Sequence, residues 1–371
     1  MDLNSSYSNL TCHPAVMQYR YFGATLGILV TAVGGVGNVM TLLAFVTDPR
    51  LRTRFNLLIL NLTVSDLLYC GFLQPVTVDT LIHFHWRQGE TMCRVFGLTL
   101  FVANAVSIFN LILIAMSRYV LISDTQRFDR VYSRRTMPLF LVLPWLLGLA
   151  LFGPLWSIYV FLPPVCTCSF HRSRGRPYTT ILMFFMFGLG LSCIGVFYLL
   201  IHRKVKLVAR ALEEHRMKTK GEPRAPEASA TDSGIAEERS ACSQATEGTS
   251  VEGEVPSGRS VAPTGAGEVR VAAGKAKRGG GGGNSEFKKV TRMCFAMFLV
   301  YVACYLPFCL LHVADKRKRA PVLLHMVAGN FTWFNSCINP ILYAIMNRQF
   351  KEAYRGVLHK AAGLFRCRRR P

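Results

Sequence analysis

The stretch FGLTLFVANAVSIFNLILIAMSRYVLI, residues 96–122, decides the fold. No charged residue lies between Arg94 and Arg118, and most of the residues between them are apolar. An α-helix needs about 20 such residues to cross the hydrocarbon core of a bilayer. The stretch therefore predicts a transmembrane helix that begins near residue 91 and ends near residue 122, with Arg118 in its last turns.

The composition of the whole chain is that of a membrane protein. Hydrophobic residues make up 51% of the chain and charged residues 17%, whereas soluble domains carry about 25% charged residues. A nucleic-acid binder can also have a formal net charge of +22, but its basic residues would lie on a soluble, less apolar chain. Here they border long apolar runs, which predicts an integral membrane protein that binds no nucleic acid.

Seven stretches are long and apolar enough to cross a bilayer. We call them the first to seventh spans, and they lie at 21–47, 55–82, 91–122, 136–161, 178–203, 288–314 and 321–346. A further segment, 347–360, is amphipathic and basic, with an apolar face that contains Phe350, Tyr354, Val357 and Leu358. The predicted fold class is an all-α integral membrane protein: a seven-helix bundle followed by a short amphipathic helix on the inner leaflet, where it contacts membrane lipid.

Basic residues in the short connections predict the orientation. They alternate onto one side of the predicted membrane, at Arg50, Arg52, Arg54, Arg127, Arg130, Arg134, Arg135, Arg203, Lys204 and Lys206. That side is predicted to be cytoplasmic in the plasma membrane. Residues 1–20 then form an extracellular tail, and its sequons at Asn4 and Asn9 predict glycosylation.

The remaining domain limits follow from composition. Residues 21–212 hold the first five spans, 287–346 the last two, and 347–371 the amphipathic helix and a basic cytoplasmic tail. The segment 213–286 has no aromatic residue and is rich in Ala, Gly, Ser and Glu, which predicts a disordered third cytoplasmic loop. A transporter is a remote alternative, because many transporters show repeated halves. An enzyme is not expected, because no catalytic cluster lies in the spans.

Asp66 stands within the second span, where a charged side chain costs at least ~2.5 kcal/mol. Neutral polar residues at similar depth, Asn38, Ser107, Asn335 and Asn339, offer oxygen ligands that suit a small hard cation. A carboxylate with several such ligands predicts a site for sodium. The alternative is a protonated carboxyl with a structural role.

Two spans are predicted to bend at prolines, Pro307 in Cys304-Tyr305-Leu306-Pro307 and Pro340 in Asn339-Pro340-Ile341-Leu342-Tyr343. Each proline removes a helical hydrogen bond and permits a kink. A helix can pivot at such a kink, and a cytoplasmic cleft opens through movements of this kind.

The span motifs together resemble those of rhodopsin-like (class A) G-protein-coupled receptors. They are Gly37-Asn38-Val39, 62–66, Ser117-Arg118-Tyr119, Trp145, 304–307 and 339–343, in the order of the family. The resemblance implies a heterotrimeric G protein that contacts Arg118, with activation roles for Tyr119, Tyr198, Pro307, Pro340 and Tyr343. It also implies a sodium site formed by Asp66, Ser107, Asn335 and Asn339. Three departures stand out. Ser117 replaces the acidic residue that usually precedes the arginine. Tyr305 stands where the family has a tryptophan, and Gly190 lies near the position of a proline that is missing from the fifth span. The loss of the acidic residue implies elevated basal activity.

The same resemblance organises the cysteines outside the spans. Cys12, Cys93, Cys166 and Cys168 permit more than one pairing, and the family implies a Cys93–Cys168 disulfide, which leaves Cys12 for Cys166. Cys367, between Arg366 and Arg368, is a palmitoylation candidate.

The predicted ligand site lies below the second extracellular loop. It comprises Leu100, Phe101, Asn104, Tyr69, Phe152, Tyr305, Asn330 and Trp333. The family binds amines through an aspartate at the position of Leu100 and retinal through a lysine in the seventh span, and both are missing here. Arg172, four residues after Cys168, presents a guanidinium fork suited to a carboxylate. An anionic head with an apolar tail describes a fatty acid.

Longer segments resemble receptors for medium-chain fatty acids found in immune cells: 52–59, 85–87, 166–170, 174–183, 289–296 and 346–350. This implies an inhibitory G protein, lowered cyclic AMP and a pro-inflammatory leukocyte response; another anionic small molecule or lipid is the alternative ligand. Receptor kinases and arrestin are expected partners. The predicted phosphorylation sites are Thr231, Ser233, Thr246, Thr249 and Ser250, near acidic residues of the third loop.

Overall fold

Long apolar runs form long helices in this protein because a backbone surrounded by lipid must satisfy its hydrogen bonds internally. The computed structural model describes residues 10–171, 174–221, 282–315 and 320–367. The chain divides into a unit of Met1–Arg210 with Gly281–Pro371 and a second unit, Ala211–Gly280. The helices of the first unit contain the predicted spans.

The first three spans lie close to their predicted limits. The first is Arg20–Thr47 and the third is Gly89–Ser123. The second is Arg54–Leu68, which continues through a π-helical turn, Tyr69–Leu73, into Gln74–His83. Pro75 explains this turn, because a proline has no N–H to donate and its ring displaces the carbonyl one turn earlier.

The fourth span is shorter than the prediction of 136–161. Its α-helix is Met137–Phe152, a 3₁₀ helix follows at Gly153–Ile158, and a β-strand begins at Tyr159. The last residues of the predicted span, from Tyr159 onward, are therefore extended. Gly153-Pro154 weakens the helix, and the β-branched and aromatic residues after it favour a strand.

The fifth and sixth spans extend into the predicted loop 213–286. Their helices are Tyr178–Gly221 and Gly282–Ala314, so that 213–221 and 282–286 are helical. The prediction was wrong at both edges. Residues 207–219 are rich in Leu, Ala, Glu, Arg, Met and Lys, which favour a helix. Once a helix has formed, each added residue gains one hydrogen bond for the conformational freedom that it loses.

The seventh span is Val322–Met346, and an amphipathic helix, Arg348–Cys367, follows it. This helix continues beyond the predicted end at Lys360. Among the described residues, six helical stretches are long and apolar enough to cross a membrane, and they correspond to the first six spans. The seventh carries Asn330, Asn335 and Asn339, all buried, so its polar residues face the interior. The structure confirms the all-α, seven-helix class.

A β-hairpin and two disulfides lie at one end of the bundle, which we call the disulfide end. The strands β1, Tyr159–Leu162, and β2, Thr167–Phe170, are antiparallel and pair Tyr159 with Phe170. A 3₁₀ turn, Pro163–Val165, joins them. The disulfides are Cys93–Cys168 and Cys12–Cys166. They attach the hairpin to the third span and to the N-terminal segment, which has its own 3₁₀ turn, Pro14–Val16.

The opposite end, which we call the arginine end, carries the basic connections. A 3₁₀ turn, Pro49–Leu51, and a short helix, Thr125–Val131, lie between spans there. The amphipathic helix packs against the first span, where the hydroxyls of Thr41 and Tyr354 are 2.6 Å apart. Phe350 lies between Phe45 and Tyr343, with ring centroids 5.8 and 5.1 Å away.

Candidate functional site

A cavity of about 200 Å³ lies between the spans near the disulfide end. All spans from the second to the seventh, together with the hairpin, line it. Every predicted ligand residue that the structure describes is among the lining residues: Tyr69, Leu100, Phe101, Asn104, Phe152, Tyr305, Asn330 and Trp333. Arg172 lies outside the described residues.

Aromatic rings form one wall of this cavity. The Phe101 ring stacks on Phe152 and Tyr159, with centroids 5.5 and 6.1 Å away, and lies 4.9 Å from Phe170 of the hairpin. Phe101, Phe152 and Phe170 are nearly fully buried. The wall therefore joins the third span, the fourth span and the hairpin into one apolar surface.

Polar groups also line the cavity. The Tyr305 hydroxyl donates a 2.6 Å hydrogen bond to Oδ1 of Asn104. Tyr305 also lies against Tyr301, with ring centroids 4.9 Å apart. The amide nitrogens of Gln74 and Asn330 are buried and have no hydrogen-bond partner within the described part of the chain. The lining thus combines one hydrogen-bonded pair with two amide nitrogens that have no partner among the described residues.

The cavity has almost no charge of its own. None of the lining residues that the structure describes is Asp, Glu, Lys or Arg. His325 lines the cavity, and its Nε2 lies 2.8 Å from Oδ2 of Asp315, a residue that follows the sixth span. A ligand with a formal charge must therefore find its counter-ion at the rim.

Several lining residues were missed from the sequence: Gln74, Phe170, Met183, Phe187, Tyr301 and His325. Pro75 in the second span was the available signal for Gln74, because the π turn rotates the helix beyond it. Phe170 lies two residues after Cys168, whose disulfide places the hairpin over the bundle. The others lie on helices with no local signal that separates a cavity wall from ordinary packing.

A polar cluster surrounds Asp66 in the middle of the bundle. Nδ2 of Asn339 donates a 2.8 Å hydrogen bond to Oδ2 of Asp66, and Oδ1 has no partner among the described residues. The hydroxyl of Ser107 lies 3.0 Å from that of Ser65, and Nδ2 of Asn335 is buried without a partner. Asp66 and Asn339 are therefore directly bonded, whereas Ser107 bonds to Ser65 instead.

Arg118 lies near the arginine end, only 8% exposed. Its guanidinium carbon is 3.2 Å from the centroid of the Phe55 ring. Cys294 of the sixth span interacts with Arg118 and with Tyr198 of the fifth span. The predicted coupling residues Arg118 and Tyr198 therefore meet at one cysteine, which the sequence reasoning did not identify.

The other predicted activation residues lie on the third, sixth and seventh spans. Tyr343 is fully buried, and its hydroxyl has no partner among the described residues. Tyr119 lies 6.0 Å from Phe197, centroid to centroid. Pro307 and Pro340 stand inside the helices of the sixth and seventh spans. Gly190, near the missing proline, allows close approach: a Cβ there would lie 3.1 Å from both Ile108 and the Tyr301 hydroxyl.

Several predicted modification sites lie outside the described residues: Asn4, Asn9, Thr231, Ser233, Thr246, Thr249 and Ser250. Cys367 is the last residue of the amphipathic helix.

Comparison with known proteins identifies related chains. Residues 37–343 match the family of seven-transmembrane receptors of the rhodopsin type. The chain is 48% identical over 393 residues to the G-protein coupled receptor 84 of Mus musculus, covering 98% of this chain and 99% of that one. It is 47% identical over 390 residues to that of Homo sapiens, with 98% of each covered. The G-protein coupled receptor moody of Drosophila melanogaster is 29% identical over 353 residues, with 91% and 51% covered.

Proposed function

We propose a medium-chain fatty acid as the ligand of this chain, which belongs to the rhodopsin family of seven-transmembrane receptors. Membership makes the chain a G-protein-coupled receptor of the plasma membrane and not an enzyme. A ligand and a G protein are therefore its partners.

The proposed orientation puts the arginine end in the cytoplasm. Arginines are concentrated in its connections, and cytoplasmic loops carry such an excess. Both disulfides lie at the opposite end, as expected of an oxidising extracellular compartment. The cavity would then open to the outside and Arg118 to the inside.

The apolar, nearly uncharged cavity is the observation that carries the proposed ligand. Its aromatic wall suits an alkyl chain, and Leu100 provides no carboxylate to hold an amine. Burying each methylene of such a chain contributes about 0.8 kcal/mol. A cavity of about 200 Å³ favours a chain of limited length over a long one.

Arg172 is the proposed anchor for the carboxylate. Ser169 and Phe170 line the cavity, so Arg172 follows the wall by two residues. A fork-shaped guanidinium binds a carboxylate through two hydrogen bonds. The alternative, another anionic small molecule or lipid, would use the same anchor with a different tail.

The proposed signalling partners rest on the relatives and on the resemblance described above. They are an inhibitory G protein that lowers cyclic AMP in leukocytes during a pro-inflammatory response, then receptor kinases and arrestin. The third loop carries the proposed phosphorylation sites. Sodium is the proposed allosteric ion at Asp66, supported by the free Oδ1 of that carboxylate.

The test is inhibition of cyclic AMP formation by saturated fatty acids of graded chain length. We expect potency to peak at medium chain lengths and to disappear for the corresponding alcohols. Arg172→Ala should abolish the response with normal surface expression, and Arg172→Lys should restore part of it. The matched control is Arg174→Ala, because Arg174 is exposed in the same loop. A normal dose response in Arg172→Ala would refute the anchor.

Phosphosite mapping after stimulation tests the kinase proposal. We expect the modified residues to be among Thr231, Ser233, Thr246, Thr249 and Ser250, because the tail from Asn347 to Pro371 contains no Ser or Thr. Phosphates there would offer arrestin a set of charge-assisted acceptors. Phosphorylation found only outside the third loop would contradict the kinase proposal.

A further inference from the structure

Arg118 is a buried cation without a carboxylate partner in the described part of the chain. The residue before it, Ser117, is neutral and donates its hydroxyl to the Ile114 carbonyl at 2.8 Å. The guanidinium faces the Phe55 ring and interacts with Cys294, and its Nε has no hydrogen-bond partner among the described residues. A buried charge without a counter-ion is costly. An anion beside Arg118 would lower this cost.

A groove of about 870 Å³ leads to Arg118 from the arginine end. We call it the arginine groove. It is lined by the first connection and the start of the second span, by the connection that contains the short helix Thr125–Val131, by the ends of the third, fourth and sixth spans, and by the start of the amphipathic helix. Its charged lining residues within the described chain are Arg52, Arg54, Arg118, Arg134 and Asp129.

Most of this positive charge has no ionic partner within the part of the chain that the structure describes. Nη1 of Arg54 is 2.7 Å from the Asp129 carboxylate, which pairs those two residues. Arg52 donates to the neutral carbonyls of Phe45 and Val46, at 3.1 and 2.6 Å. Arg134 is exposed. Three arginines thus face one groove whose single acid among the described lining residues, Asp129, is already paired with Arg54.

The groove also reaches the lipid-facing side of the bundle. Pro138 and Leu141 of the fourth span line it, and their neighbours Leu139 and Val142 are 59% and 50% exposed. Exposed apolar residues on a membrane helix contact lipid tails. A headgroup anchored in the bilayer would therefore enter the groove sideways, between the first connection and the fourth span.

We propose that the arginine groove binds a headgroup with several phosphates, carried by an anionic lipid of the inner leaflet, and that one phosphate is the counter-ion of Arg118. Arginine binds phosphate through paired hydrogen bonds, and basic pockets between cytoplasmic ends of spans hold such headgroups. The proposal rests on the proposed cytoplasmic orientation and is independent of the fatty acid ligand. A bound headgroup occupies the space beside Arg118 and so lowers basal coupling to the G protein.

The test compares two adjacent arginines in the full chain reconstituted into phosphatidylcholine nanodiscs. Arg134→Gln removes a groove residue, whereas Arg135→Gln removes an exposed arginine that does not line the groove. The readout is the fluorescence anisotropy of labelled phosphatidylinositol bisphosphate. We expect Arg134→Gln to weaken its binding about fivefold, the usual effect of one basic residue near an anionic surface, and Arg135→Gln to leave it within error.

Two further arms identify the source of the phosphate. Phosphatidylserine, with a single net charge, should not displace the labelled lipid, whereas unlabelled phosphatidylinositol bisphosphate should. Inositol hexakisphosphate tests a soluble source with the same variants. If only this soluble anion discriminates Arg134→Gln from Arg135→Gln, the membrane source is refuted.

Equal losses in both variants, or no loss in either, would overturn the groove as a site. Agonist binding to Arg134→Gln serves as the folding check, because Arg134 lies far from the ligand cavity. Loss of the fatty acid response in Arg172→Ala tests the proposed function separately, since lipid binding is measured without agonist.

Discussion

The Asn339 amide donates a 2.8 Å hydrogen bond to Oδ2 of Asp66, joining the seventh span to the second. The two residues lie far apart in the chain but are both fully buried. Asn339 immediately precedes Pro340, so this bond fixes the seventh helix at the point where its own hydrogen bonding is interrupted.

Replacing Asp66 should remove the sensitivity of the receptor to sodium. In the native chain, raising sodium to about 0.15 M should weaken agonist binding, whereas potassium should not. Asp66→Asn keeps the shape and the Asn339 contact but removes the charge that a cation requires. Radioligand binding in the two salts measures the effect.

Thr63→Ala is the control for this prediction. Thr63 is buried on the same helix, and its hydroxyl bonds only to the Ile59 carbonyl at 2.9 Å. The Thr63→Ala receptor should retain the response to sodium. An Asp66→Asn receptor that still distinguishes sodium from potassium would exclude the site.

Gly97 of the third span should not tolerate a side chain. A Cβ there would lie 2.6 Å from Cδ1 of Tyr159, a fully buried ring in β1 that stacks on Phe101. Gly97→Ala should therefore displace the hairpin and destabilise the receptor by about 1–3 kcal/mol. Thermal unfolding in detergent micelles measures the loss.

The contrasting substitution is Gly188→Ala in the fifth span. Nothing lies within 4 Å of a Cβ at Gly188, and Ala is favoured over Gly inside a helix by about 0.5–1 kcal/mol. We expect no loss of stability. Equal melting temperatures for the two variants would show that Tyr159 moves aside without cost.

The number and order of the spans could be predicted because burial in lipid imposes one physical requirement on each. The uncharged run before Arg118 is long enough to cross a bilayer wherever it packs. The motifs placed Arg118, Asp66 and Tyr343 on the interior, because polar residues in a span face inward.

Other features depend on contacts between distant segments. The hairpin at Tyr159–Phe170 forms over the third span with two disulfides, so the apolar residues of its first strand look like the end of a membrane helix in sequence. Similarly, the interaction of Cys294 with Arg118 and Tyr198 joins three spans. Each cysteine in a span has the same local appearance, so the one that contacts Arg118 was not distinguishable.

The Tyr305–Asn104 pair should act as a unit. Asn104→Ala leaves the buried Tyr305 hydroxyl without its acceptor, and Tyr305→Phe leaves the partly buried Asn104 carbonyl without its donor, each at a cost of about 1–3 kcal/mol. The double variant loses both polar groups together, so its loss should be smaller than the sum.

A double-mutant cycle on thermal stability measures this coupling, with an expected interaction of about 0.5–3 kcal/mol. Tyr301→Phe is the control, because its hydroxyl has no hydrogen-bond partner among the described residues. Strictly additive losses for Asn104 and Tyr305 would contradict the 2.6 Å bond.

Tyr354 should make the docking of the amphipathic helix sensitive to alkaline pH. Burial raises the pKa of this phenol from its ordinary value of 10 to about 12, although its hydrogen bond with Thr41 lowers it in part. Below pH 10 the group is neutral whether docked or free, so it adds no pH dependence. Between about pH 10 and pH 12 only the undocked phenol loses its proton, so docking weakens as pH rises through this window.

The measurement is the tyrosinate absorbance of the native chain minus that of Tyr354→Phe, together with a fluorescent probe on the amphipathic helix. The probe should report undocking of the native helix as the pH approaches 12, and the variant should lack this transition. Tyr21→Phe is the control, because Tyr21 is 63% exposed at the disulfide end. If Tyr354→Phe undocks over the same pH range as the native chain, the phenol does not control docking.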